Sequence, residues 1–166
     1  MRENSLHRRG SLSKKLTIFI DGACQGNPGP AGIGVAIFED DQLIKELSYP
    51  LGEATNNIAE YSALIYALLE AAAFKADRLT IFTDSQLVCR QVSGEYKIKN
   101  VHLKFLHGQV LLLLKLFKEV KVEHVPREKN KRADQLAASS LKIQKSSQDD
   151  RPGEFLFGEE SPSSRG

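Results

Sequence analysis

The stretch LTIFIDGACQGNPGPAGIGVAIF (Leu16–Phe38) decides how the chain is read. Its two ends, Leu16 to Ile20 and Gly32 to Phe38, are short runs rich in β-branched and aromatic residues. Between them lies the sequence Gly26-Asn27-Pro28-Gly29-Pro30. Glycine tolerates positive φ and proline fixes φ near one value, so the segment reads as strand, turn, strand, with the acid Asp21 directly after the first strand. Gln42 to Leu51 alternates loosely between apolar and polar residues, the pattern of a partly exposed third strand. Together these make an antiparallel meander.

Beyond the meander the periodicity changes. Ile58, Tyr61, Leu64, Ile65, Leu68 and Leu69 recur at helical spacings across Asn57 to Phe74, which predicts a helix with one apolar face. Leu79 to Thr83 reads as a buried strand, and a helix is expected from about Ser85. Leu103 to Phe117 is a second, strongly apolar helical stretch, with Val110 to Leu114 expected in the core. Val120 to Val125 is the fifth strand. Asn130 is placed to cap a last helix running through Ala137 to about Ile143, because a short polar side chain can satisfy the free amides of a first turn. The order is βββαβααβα, a mixed sheet with helices packed against it.

The 166 residues suffice for one compact domain with its own core. At 41% hydrophobic and 27% charged, the composition is that of a globular protein. The longest apolar runs, Val110–Leu114 and Ala71–Phe74, fall far short of the ~20 residues of a membrane span, so no membrane segment is expected. Met1 to Lys15 is basic without an apolar centre, unlike a secretory signal. Two widely spaced cysteines, Cys24 and Cys89, suit reduced thiols in a cytoplasm. Residues 1–14 read as a flexible basic extension, 15–144 as the folded domain, and 145–166 as a disordered tail in which Phe155, Leu156 and Phe157 could form a short docking segment.

Four acids fall at the ends of the elements: Asp21, Glu60 in the first turn of the first helix, Asp84 after the fourth strand, and Asp134 in the first turn of the last helix. Each has a plain structural explanation. Glu60 can close a capping box with Asn57, Asp134 can complement a helix dipole, Asp84 can cap the helix at Ser85, and Asp21 can be a turn residue. If the strands of Asp21 and Asp84 are neighbours, however, their carboxylates emerge side by side, and like charges at that range raise each other's pKa unless a cation lies between them. Hard divalent ions such as Mg²⁺ or Mn²⁺ prefer oxygen ligands, and a pair held by shared carboxylates can clamp a phosphodiester.

At this point a resemblance enters. Ile20 to Gly34, Thr55-Asn56-Asn57-Ile58-Ala59-Glu60, Thr83-Asp84-Ser85-Gln86 and His124 to Asp134 together resemble type 1 ribonuclease H, over roughly residues 16 to 143. The resemblance implies an α/β fold of the ribonuclease H type, a five-stranded mixed sheet with strands one to three antiparallel. It also implies an endoribonuclease that hydrolyses the RNA strand of RNA·DNA hybrids. By that resemblance Asp21, Glu60, Asp84 and Asp134 are catalytic, metal-binding acids for two Mg²⁺ or Mn²⁺ ions, and the products carry 5′-phosphate and 3′-hydroxyl ends. His124 matches the position of a proton-shuttling histidine, with two readings open: a strand-end residue, or a role taken over by Arg127. His7, His102 and His107 match no motif.

The resemblance also maps hybrid contacts onto Cys24, Gly26, Asn27, Asn56, Asn57 and Gln86, with Thr55 at a DNA phosphate. Such short polar groups and backbone amides suit the 2′-hydroxyls of a wide minor groove. From Glu95 to Lys131 the chain carries eight Lys and one Arg against four Glu, which favours phosphate contact, with Lys97, Lys99 and Lys104 foremost. The segment between Asp84 and Asp134 is short, and the chain contains no Trp, so the extra basic helix of some relatives is missing and weaker hybrid affinity is expected. A monomer acting on hybrids is the leading expectation. A noncatalytic nucleic-acid-binding module and a nuclease of DNA junctions are the alternatives. Four intact acids disfavour a mere polyanion binder, and the asparagine pair disfavours the junction nuclease.

Overall fold

The computed structural model describes residues 13–149. His7 and the Phe155-Leu156-Phe157 segment lie outside the described residues. The order is β1 (Lys15–Cys24), β2 (Gly29–Glu39), β3 (Gln42–Ala54), α1 (Asn56–Ala73), β4 (Arg78–Thr83), α2 (Gln86–Val92), α3 (Val101–Leu114), β5 (Glu119–His124), a 3-10 turn (Arg127–Lys129) and α4 (Lys131–Asp149). The expected βββαβααβα order is therefore met. The five strands lie in the order β3-β2-β1-β4-β5, with β1, β2 and β3 antiparallel and β1-β4 and β4-β5 parallel.

Strand alternation sorts the core. Leu16, Ile18 and Ile20 of β1, Ile33, Val35 and Ile37 of β2, and Leu79 and Ile81 of β4 form one buried cluster with Tyr61, Leu64 and Leu68 of α1 and Val110 of α3. The opposite face stacks Phe19 on Phe82 at 5.1 Å between ring centroids. The β2-β3 hairpin turns on Asp40 and Asp41, both at positive φ (48° and 62°), the backbone that a two-residue turn with the strands' own twist demands.

Two helices approach the sheet where glycine leaves room. A Cβ on Gly34 would lie 2.1 Å from Ala133 O and 2.5 Å from Ala137 N, so α4 rests directly on β2. A Cβ on Gly22 would lie 2.5 Å from Ala59 C and from Glu60 N, so α1 starts against β1. α2 is tied to α1 by Tyr61, whose buried hydroxyl donates to Gln91 Oε1 at 2.7 Å.

Four local expectations are corrected. β1 continues through Asp21 to Cys24, pairing Asp21 with Gly34, because β2 supplies a partner for every residue to Cys24. α1 begins one residue early with Thr55 as its N-cap, so Glu60 stands in the second turn and cannot close a capping box. Asn130 does not cap α4 with its side chain, whose amide reaches back to Ile20 O instead. Within Val110–Leu114 only Val110 is buried. Leu111 and Leu112 are 44% and 60% exposed, since one face of α3 meets α1 and the other meets solvent.

Candidate active site

Each acid owes its position to the strand or helix that carries it. Asp21 lies in β1, and its parallel neighbour β4 ends at Thr83, one residue before Asp84, so the two carboxylates leave adjacent strands at the same edge. Thr55 opens α1 by accepting the Ile58 amide at 3.3 Å, and the helix then carries Glu60 over Gly22. Asp134 sits in the first turn of α4. Carboxylate oxygens of Asp21, Glu60 and Asp84 lie within 4.8 Å of one another. Asp134 lines the same hollow of about 330 Å³ and comes within hydrogen-bonding reach of Asp21.

The electrostatics of this arrangement are unfavourable without a cation. Burial, then the charges of Asp84 and Asp134, push the Asp21 carboxyl up to about 8. Glu60 is likewise raised well above the usual carboxylate range by burial and by Asp21 and Asp84, against a lowering bond from the Gly22 amide. Glu60 Oε2 is buried with no hydrogen-bond partner among the described residues. An unpaired buried oxygen beside two more carboxylates fits a divalent cation, and an all-oxygen donor set suits Mg²⁺ or Mn²⁺.

The remaining candidates divide. Arg127 lines the acid hollow, with Nη2 3.3 Å from Asp134 Oδ1. His124 does not line it. It ends β5 paired with Thr83 and faces a separate hollow with Gln86, Cys89 and Arg90. Cys24 and Asn56 line the acid hollow. The Cys24 thiol donates to Ala54 O at 3.0 Å and also contacts Gly26 O, while Gly26 takes φ of +92° to turn the loop. Asn27 Oδ1 accepts the Asn56 amide at 3.0 Å, joining the first loop to the start of α1 beside exposed Asn57. Lys97 and Lys104 line a further hollow between α2 and α3.

Two contributors escaped the sequence reading. The Gly22 backbone packs against the Ala59–Glu60 peptide and lowers the Glu60 carboxyl against its burial, for which the signal is a glycine directly after the first acid. Asn130 bridges β1 to α4, and nothing in its sequence neighbourhood announces a partner 110 positions away.

Comparison with known proteins places this geometry. The family described as reverse transcriptase-like matches residues 19–140. A bifunctional protein of Mycobacterium tuberculosis is 38% identical over 156 residues, which is 92% of this chain and 43% of that protein. Ribonuclease HI of Halobacterium salinarum is 42% identical over 128 residues, 76% of this chain and 64% of that protein. The chain thus spans less than two thirds of either relative. The crystal structure of RNase H1 from the same Halobacterium matches with a TM-score of 0.76 at 39% identity, covering 78% of this chain and 98% of that one. LC11-RNase H1, isolated from compost and solved in complex with an RNA/DNA hybrid, matches with a TM-score of 0.74 at 37% identity, covering 78% and 98%. Ribonuclease H of Desulforamulus reducens is 33% identical over 144 residues, 78% of this chain and 89% of that protein. With the strand order, the clustered acids and the family match across most of its length in agreement, the chain belongs to the ribonuclease H family.

Proposed function

We propose that the chain is an endoribonuclease that cleaves the RNA strand of RNA·DNA hybrids, with divalent metal held by Asp21, Glu60, Asp84 and Asp134. The observation that carries this reading is the trio of carboxylates within 4.8 Å, one of whose oxygens is buried and unpaired. Bound Mg²⁺ or Mn²⁺, two ions with substrate present, would supply an activated water and charge stabilisation at the phosphate, leaving 5′-phosphate and 3′-hydroxyl ends.

The protein's own groups do the rest. Cys24 and Asn56 line the acid hollow, with Gly26, Asn27 and Asn57 in the adjoining loop and helix start, and offer short polar groups suited to 2′-hydroxyls and backbone oxygens. Gln86 opens α2 beside the neighbouring hollow, and Thr55 stands next to Asn56 for a DNA phosphate. Lys97 and Lys104 extend the positive surface. Arg127 lines the acid hollow whereas His124 does not, which supports Arg127 in the basic role. A guanidinium does not release its proton near neutral pH, so Arg127 acts as a fixed donor to the leaving oxygen or the phosphate. One chain supplies all four carboxylates, which suits a monomer, and the free thiols of Cys24 and Cys89 suit a cytoplasmic setting.

The test is cleavage of an end-labelled hybrid with Mg²⁺ or Mn²⁺ beside single-stranded RNA and a DNA junction. Hybrid-specific cutting abolished by Asp84→Asn is expected. A wild-type protein that leaves the hybrid whole, or an Asp84→Asn variant that cuts it as well as wild type, defeats the proposal.

A further inference from the structure

The four acids come from within β1, from the residue after β4 and from two helices, so their spacing depends on links between backbones rather than on any one element. One residue makes such a link at the site itself. Asn130, 1% exposed, directly precedes α4 with the 3-10 turn behind it. Its Nδ2 donates to Ile20 O, the carbonyl just before Asp21, at 2.9 Å. Its own carbonyl accepts the Asp134 amide at 3.1 Å. A single side chain therefore joins the peptide that leads into Asp21 to the turn that carries Asp134.

The third polar group of Asn130 shows how firmly that orientation is imposed. Its Oδ1 is buried and has no hydrogen-bond partner among the described residues. Turning the amide over would not cure this, because the oxygen would then face the Ile20 carbonyl, acceptor against acceptor. The side chain thus tolerates an unpaired acceptor while keeping its bond to β1. The glycine contacts of α4 with β2 set the height of the helix over the sheet, whereas the Asn130 bond ties the residue that opens its first turn to the strand of Asp21.

We infer that Asn130 is a positioning residue of the metal site, fixing the separation of Asp21 and Asp134 by holding the start of α4 to β1. The inference rests on the proposed metal-dependent activity. Groups that orient ligands without touching the metal typically change its affinity by about 10- to 100-fold when lost.

The test is calorimetric titration of the metal-free protein with MnCl₂, for wild type, Asn130→Ala, the milder Asn130→Ser, and Leu141→Ala, a buried α4 residue away from the site. Asn130→Ala is expected to bind Mn²⁺ at least ~10-fold more weakly and Asn130→Ser to fall between. Leu141→Ala is expected to lose thermal stability yet keep wild-type Mn²⁺ affinity. Hybrid cleavage by Asn130→Ala should show a lowered kcat with KM for the hybrid unchanged. If Asn130→Ala does not fold, Asn130→Ser decides. Wild-type Mn²⁺ affinity in the folded Asn130 variants overturns the inference, as does an equal loss in Leu141→Ala. Absence of Mn²⁺ binding by wild type instead defeats the metal-dependent reading itself.

Discussion

Arg127 reaches Asp134, Nη2 to Oδ1 at 3.3 Å, while His124 at the end of β5 faces a different hollow. The pair is largely exposed, so it adds little to stability, and the guanidinium is free to turn toward a bound phosphate. Removing a fixed donor at a developing charge typically costs 10²- to 10³-fold in rate. Arg127→Ala should therefore lower kcat by about 10²-fold, with Arg127→Lys between it and wild type, whereas His124→Ala should stay near the wild-type rate. Steady-state kinetics on a labelled hybrid check this. A large loss in His124→Ala alone would return the role to the histidine.

The crowding of the carboxylates makes stability depend on pH and metal. Asp21 is raised from 3.8 to about 8, so the folded protein keeps a proton that the unfolded chain has released well below neutrality. Its contribution is full below the unfolded value and is lost as pH rises through about 8. In EDTA, Tm should fall between about pH 5 and about pH 8.5. Mg²⁺ should raise Tm more at the higher pH, and Asp21→Asn should raise the metal-free Tm there by about 4 °C or more. Thermal melts across pH decide it, and a metal-free Tm that climbs with pH contradicts the electrostatic account.

Gly34 is where α4 touches β2. A methyl group there would meet the Ala133 carbonyl and the Ala137 amide, both backbone atoms that cannot rotate away. Gly34→Ala is expected to cost at least about 1–3 kcal/mol in chemical denaturation, the range for overpacked sites, and to lower hybrid cleavage by shifting Asp134. A variant of unchanged stability and activity would mean that α4 sits further from the sheet.

The two faces of α3 should respond oppositely. Val110 is fully buried and Leu112 is 60% exposed. Val110→Ala should lose about 2 kcal/mol, at roughly 0.8 kcal/mol per buried methylene-sized group plus the cavity left behind. Leu112→Ala should stay within about 0.5 kcal/mol of wild type. Urea denaturation of the two variants is the measurement, and a larger loss at Leu112 would place that side chain in the core.

Sequence alone determined the element order and the chemistry available to the chain. Periodicity separates strands from helices because side chains alternate every two residues in one and every three to four in the other. The Gly- and Asn-rich loop and the four acids lie inside motifs specific enough to name a family. What periodicity could not supply was anything set by a partner distant in the chain. β1 runs on through Asp21 because β2 pairs with it to Cys24. Leu112 is exposed because one face of α3 is taken by the core and no other element among the described residues covers the rest, although its residue type says buried. Asn130 reaches Ile20 rather than capping its own helix. The positions of His124 and Arg127 relative to the acids also waited for three dimensions. Both are basic and lie a few residues apart, and only the turn after β5 puts one at the acids and the other beyond them.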